Sequence, residues 1–503
     1  MNSVPETPLQ DHATHRRALI LRGVAWNSLF QVFLVAVNFV SMLVLVRLLQ
    51  PAEFGRATAT TGILGLINCF NCSYFIAQAI QLRDGEEPDW SSHWRAGFYI
   101  QFALTITCNA VAGLMWLFPA YRPMAPLLHI ASIGLLIDCP NQLGLTSLRR
   151  DMDFRRLRLV QMTCALLTLV SSITLALLGA GAYALIIASN VLHGLPLGFY
   201  WLVIKKWRPP AYWWRWPDWT NYRASLNFGA QLSGSAVLTA SRGMLESLVL
   251  PGALGYAAVG LLNRAQVLFT TTVGRVTMLI VETVYPLLPR SAADPVQFAR
   301  HATLFVQTML LISIPGAVFI GLEGPYLSRL LYGSKWSAAD PLILPGTIFA
   351  WGVATVLIFT IILQAKNHLR LAFLSNLTAA CLCLPAMLVA LAGGKMLSYA
   401  WALAGGQFVA TLVVVNFGTS SLKQGWMRSA VIPPVVVALL GAVALVALNS
   451  KTIQLNLFAK VLCDTVTFGV IALVAMRFLF GSALRETILR LPGKNALVKF
   501  LRL

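Results

Sequence analysis

Three ionisable residues, Arg264, Arg275 and Glu282, sit inside one long apolar run, 256–286, at intervals of 11 and 7 positions. At about 100° per residue both intervals return to within roughly 20° of the same helical face, so a continuous helix there predicts a single charged stripe. Its 18 residues would extend roughly 27 Å, close to the whole hydrocarbon thickness of a bilayer. Charges in hydrocarbon are costly enough that they normally face a cavity, a partner or a pathway. Guanidinium groups bind oxyanions bidentately, which makes an anion the natural ligand of such a stripe. The competing reading is an internal salt-bridge network. In the preceding run, 224–249, Arg242 and Glu246 are one turn apart and could satisfy each other.

Other polar residues in apolar runs extend the list. Gln31 and Asn38, and likewise Asn71 and Gln78, are each spaced by seven positions, which fits either a polar cavity wall or helix–helix packing. Asp138 is the one carboxylate within a run of the first half, and with Glu246 and Glu282 it is a candidate for coupling to H+ or Na+. Lys460 and Asp464 lie one turn apart at the end of the last run and read as a snorkelling pair. His129 and His193 are lone histidines in apolar segments. No nucleophile–base arrangement, Walker-type loop or metal-ligand spacing is present, so no catalytic or metal residue and no cofactor is expected. The eight cysteines fall in apolar segments, including Cys69-x-x-Cys72, and read as packing residues rather than a disulfide framework.

The elements that must position these groups follow from composition. Of 503 residues, 57% are hydrophobic and only 11% charged. Such a chain cannot cover its apolar surface in water, so lipid is its solvent. Apolar runs of about 20 residues number about fourteen, which predicts an all-α integral membrane protein. The first, Val24 to Val46, is too long for a signal-peptide core and reads as a retained span. The net charge of +20 arises from Lys and Arg concentrated in alternate connections. That pattern places both termini in the cytoplasm and argues against a nucleic-acid partner. No connection is long enough for a soluble catalytic domain, so the chain does not read as an enzyme.

The segment 205–223, rich in Trp, Tyr and basic residues, reads as a cytoplasmic interfacial linker between two halves. The predicted organisation is a cytoplasmic polar tail (1–23), an N-lobe of six spans (24–204), the linker, a C-lobe of six spans (224–422), two extra spans (423–480) and a basic cytoplasmic tail (481–503). A repeat supports the halves: Leu49-Gln-Pro-Ala52-Glu-Phe54-Gly55 after the first span and Leu254-Gly-Tyr-Ala257-Ala-Val259-Gly260 after the seventh share L-x-x-A-x-[FV]-G.

Four segments carry a family resemblance. Arg47-Leu-Leu-Gln-Pro51-Ala-Glu53-Phe54-Gly55, Leu148-Arg-Arg150-Asp-Met-Asp-Phe154-Arg-Arg, the turn at Leu254-Gly255 with Arg264, and Leu331-Tyr-Gly333-Ser-Lys-Trp336 together resemble the Wzx-type flippases. These form the polysaccharide-transport branch of the multidrug/oligosaccharidyl-lipid/polysaccharide (MOP) exporter superfamily. The resemblance implies a V-shaped, MATE-like pair of six-helix lobes with two C-terminal helices. It implies export of a polyprenyl-pyrophosphate-linked oligosaccharide across the bacterial inner membrane, driven by membrane potential, H+ or Na+. Arg242, Arg264 and Arg275 would then meet the pyrophosphate, with Gln31, Asn38, Asn71 and Gln78 on the cavity wall. Membrane lipids, a polysaccharide polymerase and assembly proteins are the implied partners. Two alternatives stay open: a MATE-like exporter of a small molecule, and a membrane-embedded polysaccharide-modifying enzyme.

Overall fold

The structure, a computed structural model, describes residues 8–82, 86–204, 209–284, 287–452 and 454–488. Every element among them is helical, as hydrocarbon demands when each backbone N–H and C=O must be satisfied within its own segment. Contacts divide the chain into two compact units, Met1–Gly252 and Ala253–Leu503.

The first unit contains α1 (Pro8–Leu48), α2 (Pro51–Ile67), α3 (Trp90–Met115), α4 (Ala125–Arg150), α5 (Phe154–Leu177), α6 (Ala182–Val203) and α7 (Arg223–Ala253). The second contains α8 (Gly255–Thr271), α9 (Val273–Val284), α10 (Pro295–Tyr332), α11 (Asp340–Ala365), α12 (Leu369–Leu391), α13 (Met396–Gly418), α14 (Ile432–Thr452) and α15 (Leu457–Ile488). Its core is a cluster of large apolar side chains that includes Phe298, Phe305, Met309, Phe359 and Ile362.

Several expected boundaries move. The division falls after α7 rather than in the 205–223 linker, because α7 is fitted against the first unit. A Cβ added to Gly62 of α2 would come within 1.9 Å of the Ser247 hydroxyl oxygen and 2.7 Å of the Gly243 carbonyl oxygen. The Tyr121 hydroxyl donates to the Leu248 carbonyl at 2.6 Å, and Ser225 bonds Gln78. α1 already begins at Pro8 and α15 runs on to Ile488, so the parts of both tails nearest the first and last spans are helical. Residues 1–7 and 489–503 lie outside the described residues.

Eleven described helices are long and apolar enough to cross a membrane. The expected fourteen is not reached on that criterion. The helices it omits include α4, α7 and the pair α8 and α9, which hold Asp138, Arg242, Glu246, Arg264, Arg275 and Glu282.

Both copies of the repeat open a helix. In the first, Pro51 occupies the first turn of α2, where its missing N–H costs nothing, and Glu53 accepts from the Gln50 N–H at 2.7 Å. In the second, Gly255 starts α8 at φ +80°, a backbone conformation glycine adopts without strain. Phe54 with Gly55, and Val259 with Gly260, are buried. The aromatic linker lies on the start of α3: Trp213 meets Phe98 edge-on at 4.8 Å, the Tyr99 hydroxyl donates to the Trp214 carbonyl at 2.7 Å, and His93 pairs with Tyr222 at 2.8 Å. Trp214 and Trp216 stay exposed, as an interfacial anchor requires. Residues 205–208 of the linker lie outside the described residues.

Candidate functional site

Asp138 lines a cavity of about 400 Å³ inside the first unit. Among the described residues its carboxylate meets no arginine. It accepts instead from three side-chain amides: Asn71, Gln142 at 3.0 Å and Gln101 at 3.4 Å. Among the described residues no Lys or Arg forms an ion pair with it. His193 and Asn190 on α6 face the same cavity, and His193 Nδ1 lies 2.9 Å from the Thr168 hydroxyl oxygen.

Local sequence shapes these walls. Pro140, two residues beyond Asp138, interrupts the α4 hydrogen-bond ladder. α6 opens into π-helical turns at Ile187–Leu192, which carry Ser189 and Asn190 into the lining. α4 and α6 approach so closely that a Cβ on Gly134 would lie 2.1 Å from the Asn190 carbonyl oxygen.

The pairing of Asn71 with Gln78 by helical spacing fails. The second span is broken: α2 ends at Ile67, Asn68–Phe70 form a 3-10 turn, and Asn71 is extended with φ −58° and ψ 145°. Its side chain caps the next helical turn by accepting from the Ser73 N–H at 2.8 Å and also donates to Asp138. Gln78 turns to Ser225 of α7. Gln31 and Asn38 do share one unbroken helix, α1, but Phe30 and Leu34 are the α1 residues that line the Asp138 cavity.

Arg242 and Glu246 face each other on α7 with Nε to Oε1 at 3.8 Å, an ion pair too long for a hydrogen bond. This is the arrangement their spacing predicts.

The charged stripe of the eighth span does not exist as one stripe. The span is two helices, α8 and α9, separated at Thr272, whose φ −101° and ψ −88° leave the helical region. Three consecutive threonines precede the break. Thr270 and Thr271 donate to the Val267 carbonyl, and Thr272 to that of Leu268, so hydroxyls compete for acceptors of the backbone ladder. Arg264 on α8 donates to Asn263 Oδ1 at 2.7 Å and lies beside Tyr332 at the end of α10. Two of the segments that carry the family resemblance therefore meet there. Arg275 stands in the first turn of α9, the one charged residue on a cleft of about 260 Å³ formed with α8 and α11 and lined, among the described residues, by apolar side chains and Thr270, Thr271 and Thr277. Among the described residues it makes no hydrogen bond or ion pair. The side chain of Glu282 lies outside the described residues.

The Lys460–Asp464 pair does not snorkel. Lys460 is 3% exposed and Asp464 1%. All eight cysteines are free thiols, and no metal-holding group of His, Cys, Asp or Glu is found among the described residues. The sequence reading missed Gln142, Gln101 and His193 as neighbours of Asp138; only Gln142 carried a signal, its one-turn spacing, because nothing local marks a contact between distant segments.

Residues 44–341 match the profile of a family described as polysaccharide biosynthesis protein. The chain is 18% identical to the lipopolysaccharide biosynthesis protein WzxC of Escherichia coli (strain K12), over 76% of each chain. It is 22% identical to the succinoglycan biosynthesis transport protein ExoT of Rhizobium meliloti (strain 1021), over 64% of this chain and 65% of that one. Among solved structures it is similar to the lipid II flippase MurJ in an inward closed conformation, with a TM-score of 0.70 at 12% identity, covering 92% of this chain and 100% of that one.

Proposed function

We propose, from the premise that this chain belongs to the polysaccharide biosynthesis protein family, that it is a flippase. Its cargo is a polyprenyl-pyrophosphate-linked oligosaccharide, moved across the bacterial inner membrane by alternating access without making or breaking a covalent bond. The names of its relatives support this reading: one acts in lipopolysaccharide biosynthesis, another is a succinoglycan transport protein. The fold it shares with a lipid II flippase accommodates a lipid-linked cargo of that kind. Cytoplasmic termini and a polymerase as neighbour in assembly belong to the same proposal.

The observation that carries it is Arg275. An arginine within an apolar run that has no hydrogen bond or ion pair among the described residues is a cost that a ligand can offset. It sits in the first turn of a 12-residue helix opened by a break in the span, so the N–H groups and positive dipole end of α9 add to its charge. Broken spans of this type hold anionic groups in other transporters. A pyrophosphate fits both parts, bonding guanidinium bidentately and the helix end through backbone donors. Arg242 and Arg264 are secondary candidates, each already engaged by neighbours.

Asp138 is the candidate for H+ or Na+ coupling in the first unit, a carboxylate on a cavity wall that accepts from three amide N–H groups and has no cationic partner among the described residues. Glu246 and Glu282 are alternative coupling residues. The decisive experiment is polymer export by cells carrying Arg275→Ala. Export is expected to stop while the protein still accumulates in the membrane; normal export would sink the assignment. Arg275→Lys is expected to recover only part of the activity, because an ammonium keeps the charge and loses the fork.

A further inference from the structure

The second unit buries three charges away from Arg275 and Arg264. Lys460 and Asp464 on α15 and Glu323 on α10 are 3%, 1% and 5% exposed. Lys460 donates to Asp464 Oδ2 at 2.8 Å, to Asn449 Oδ1 at 2.9 Å and to the Thr452 hydroxyl at 3.3 Å, the last two on α14. Its Nζ stands 4.2 Å from the centre of the Tyr326 ring. An ammonium has three N–H donors, and these three acceptors use them all. Glu323 Oε2, 3.9 Å from Nζ, is left outside that set.

Glu323 Oε2 and Asp464 Oδ1 are both buried and receive no donor among the described residues. Both groups converge on the same ammonium nitrogen, Asp464 Oδ2 at 2.8 Å and Glu323 Oε2 at 3.9 Å. When ionised, each carboxylate offers only acceptors, so neither unsatisfied oxygen can be met by the other group. Their two charges against one ammonium would also leave a net negative charge in a buried, low-dielectric place. One added proton satisfies both conditions at once.

We propose that Glu323 and Asp464 share a bound proton, which makes the junction of α10, α14 and α15 a neutral proton-binding site that fastens the terminal helix pair to α10. Lys460 and Asp464 are the titratable groups facing Glu323 among the described residues, and Tyr326 of α10 faces Lys460. Asn449 and Thr452, which do not titrate, come from α14. Further along α10, Arg329 is turned to Asp340 of α11 at 2.7 Å. The proton sits on the carboxyl pair, where its O–H donates to the opposite oxygen; losing it restores the excess charge and loosens the junction. The site is independent of what the protein carries.

Infrared spectra of the purified full-length protein in lipid nanodiscs test this. At neutral pH the wild type is expected to show the carbonyl stretch of a protonated carboxylic acid, which disappears in both Glu323→Gln and Asp464→Asn, each leaving one carboxylate to match Lys460. Raising the pH is expected to remove the same band with release of one proton per chain. Should those variants fail to fold, Lys460→Met is the second test. With the ammonium gone both acids must be protonated, so the band is expected to grow about twofold; an unchanged band overturns the proposal. It is equally overturned if the band survives in Glu323→Gln and Asp464→Asn, or if labelled Na+ binds the wild type and is lost in both variants.

Discussion

Arg264 and Arg275 carry the same charge and differ in what surrounds it. Arg264 is held by Asn263 and sits beside Tyr332, so Arg264→Ala leaves buried polar groups short of a partner. We expect it to cost about 1–3 kcal/mol of stability, read as a lowered Tm in detergent. Arg275→Ala removes no hydrogen bond or ion pair among the described residues and is expected to leave Tm nearly unchanged while export stops. Equal losses of Tm in the two variants would remove this distinction. Asp138→Asn keeps the size of the side chain but loses its ability to bind a proton or cation at neutral pH. Transport by this variant is expected to ignore pH and Na+ gradients, measured in vesicles with imposed gradients. The identity of these residues was legible in the sequence because a charge inside an apolar run stands out. Their partners were not: Asp138 is satisfied by Asn71, Gln101 and Gln142, and only the last is a near neighbour in the chain.

At the scale of helices, the sequence located the spans and missed their interruptions. The stripe reading assumed that Arg264, Arg275 and Glu282 ride one helix, whereas the helix breaks at Thr272, the last of three threonines whose hydroxyls bond backbone carbonyls. A periodicity argument cannot see such a break, since threonine is tolerated in an apolar run and its bond to the backbone is invisible in composition. Asn71 offered a better clue, being a strong N-cap type at the point where the second span restarts. Close approaches were equally hidden, because Gly134 reads as a mere gap in hydrophobicity until the Asn190 carbonyl is placed against it. Gly134→Ala must push α4 from α6 and is expected to destabilise the protein by about 1–3 kcal/mol. A thermal-unfolding midpoint equal to that of wild type would show that the two helices can part freely.

For the whole molecule, the membrane-embedded all-helical class and the family were legible from apolar runs, loop charge and four short motifs. The division between units was not. The aromatic linker marks a change of surroundings in sequence, whereas contacts assign α7 to the first unit through Gly62, Tyr121 and Gln78. α8 and α9, of 17 and 12 residues, are each too short to span alone, whereas α4 and α7 are long enough but not apolar enough, and that shortfall bears on how the protein is made. A central arginine costs about 2.5–3.5 kcal/mol when the translocon partitions a segment into lipid, so α7 on its own is expected to enter the membrane poorly. In a glycosylation-based insertion assay, Arg242→Leu should raise the inserted fraction of isolated α7, and adding the preceding segments should do so without any substitution. α4 and α7 would thus be the late arrivals of biogenesis, retained near the ribosome exit until other segments offer them a polar side to lean on.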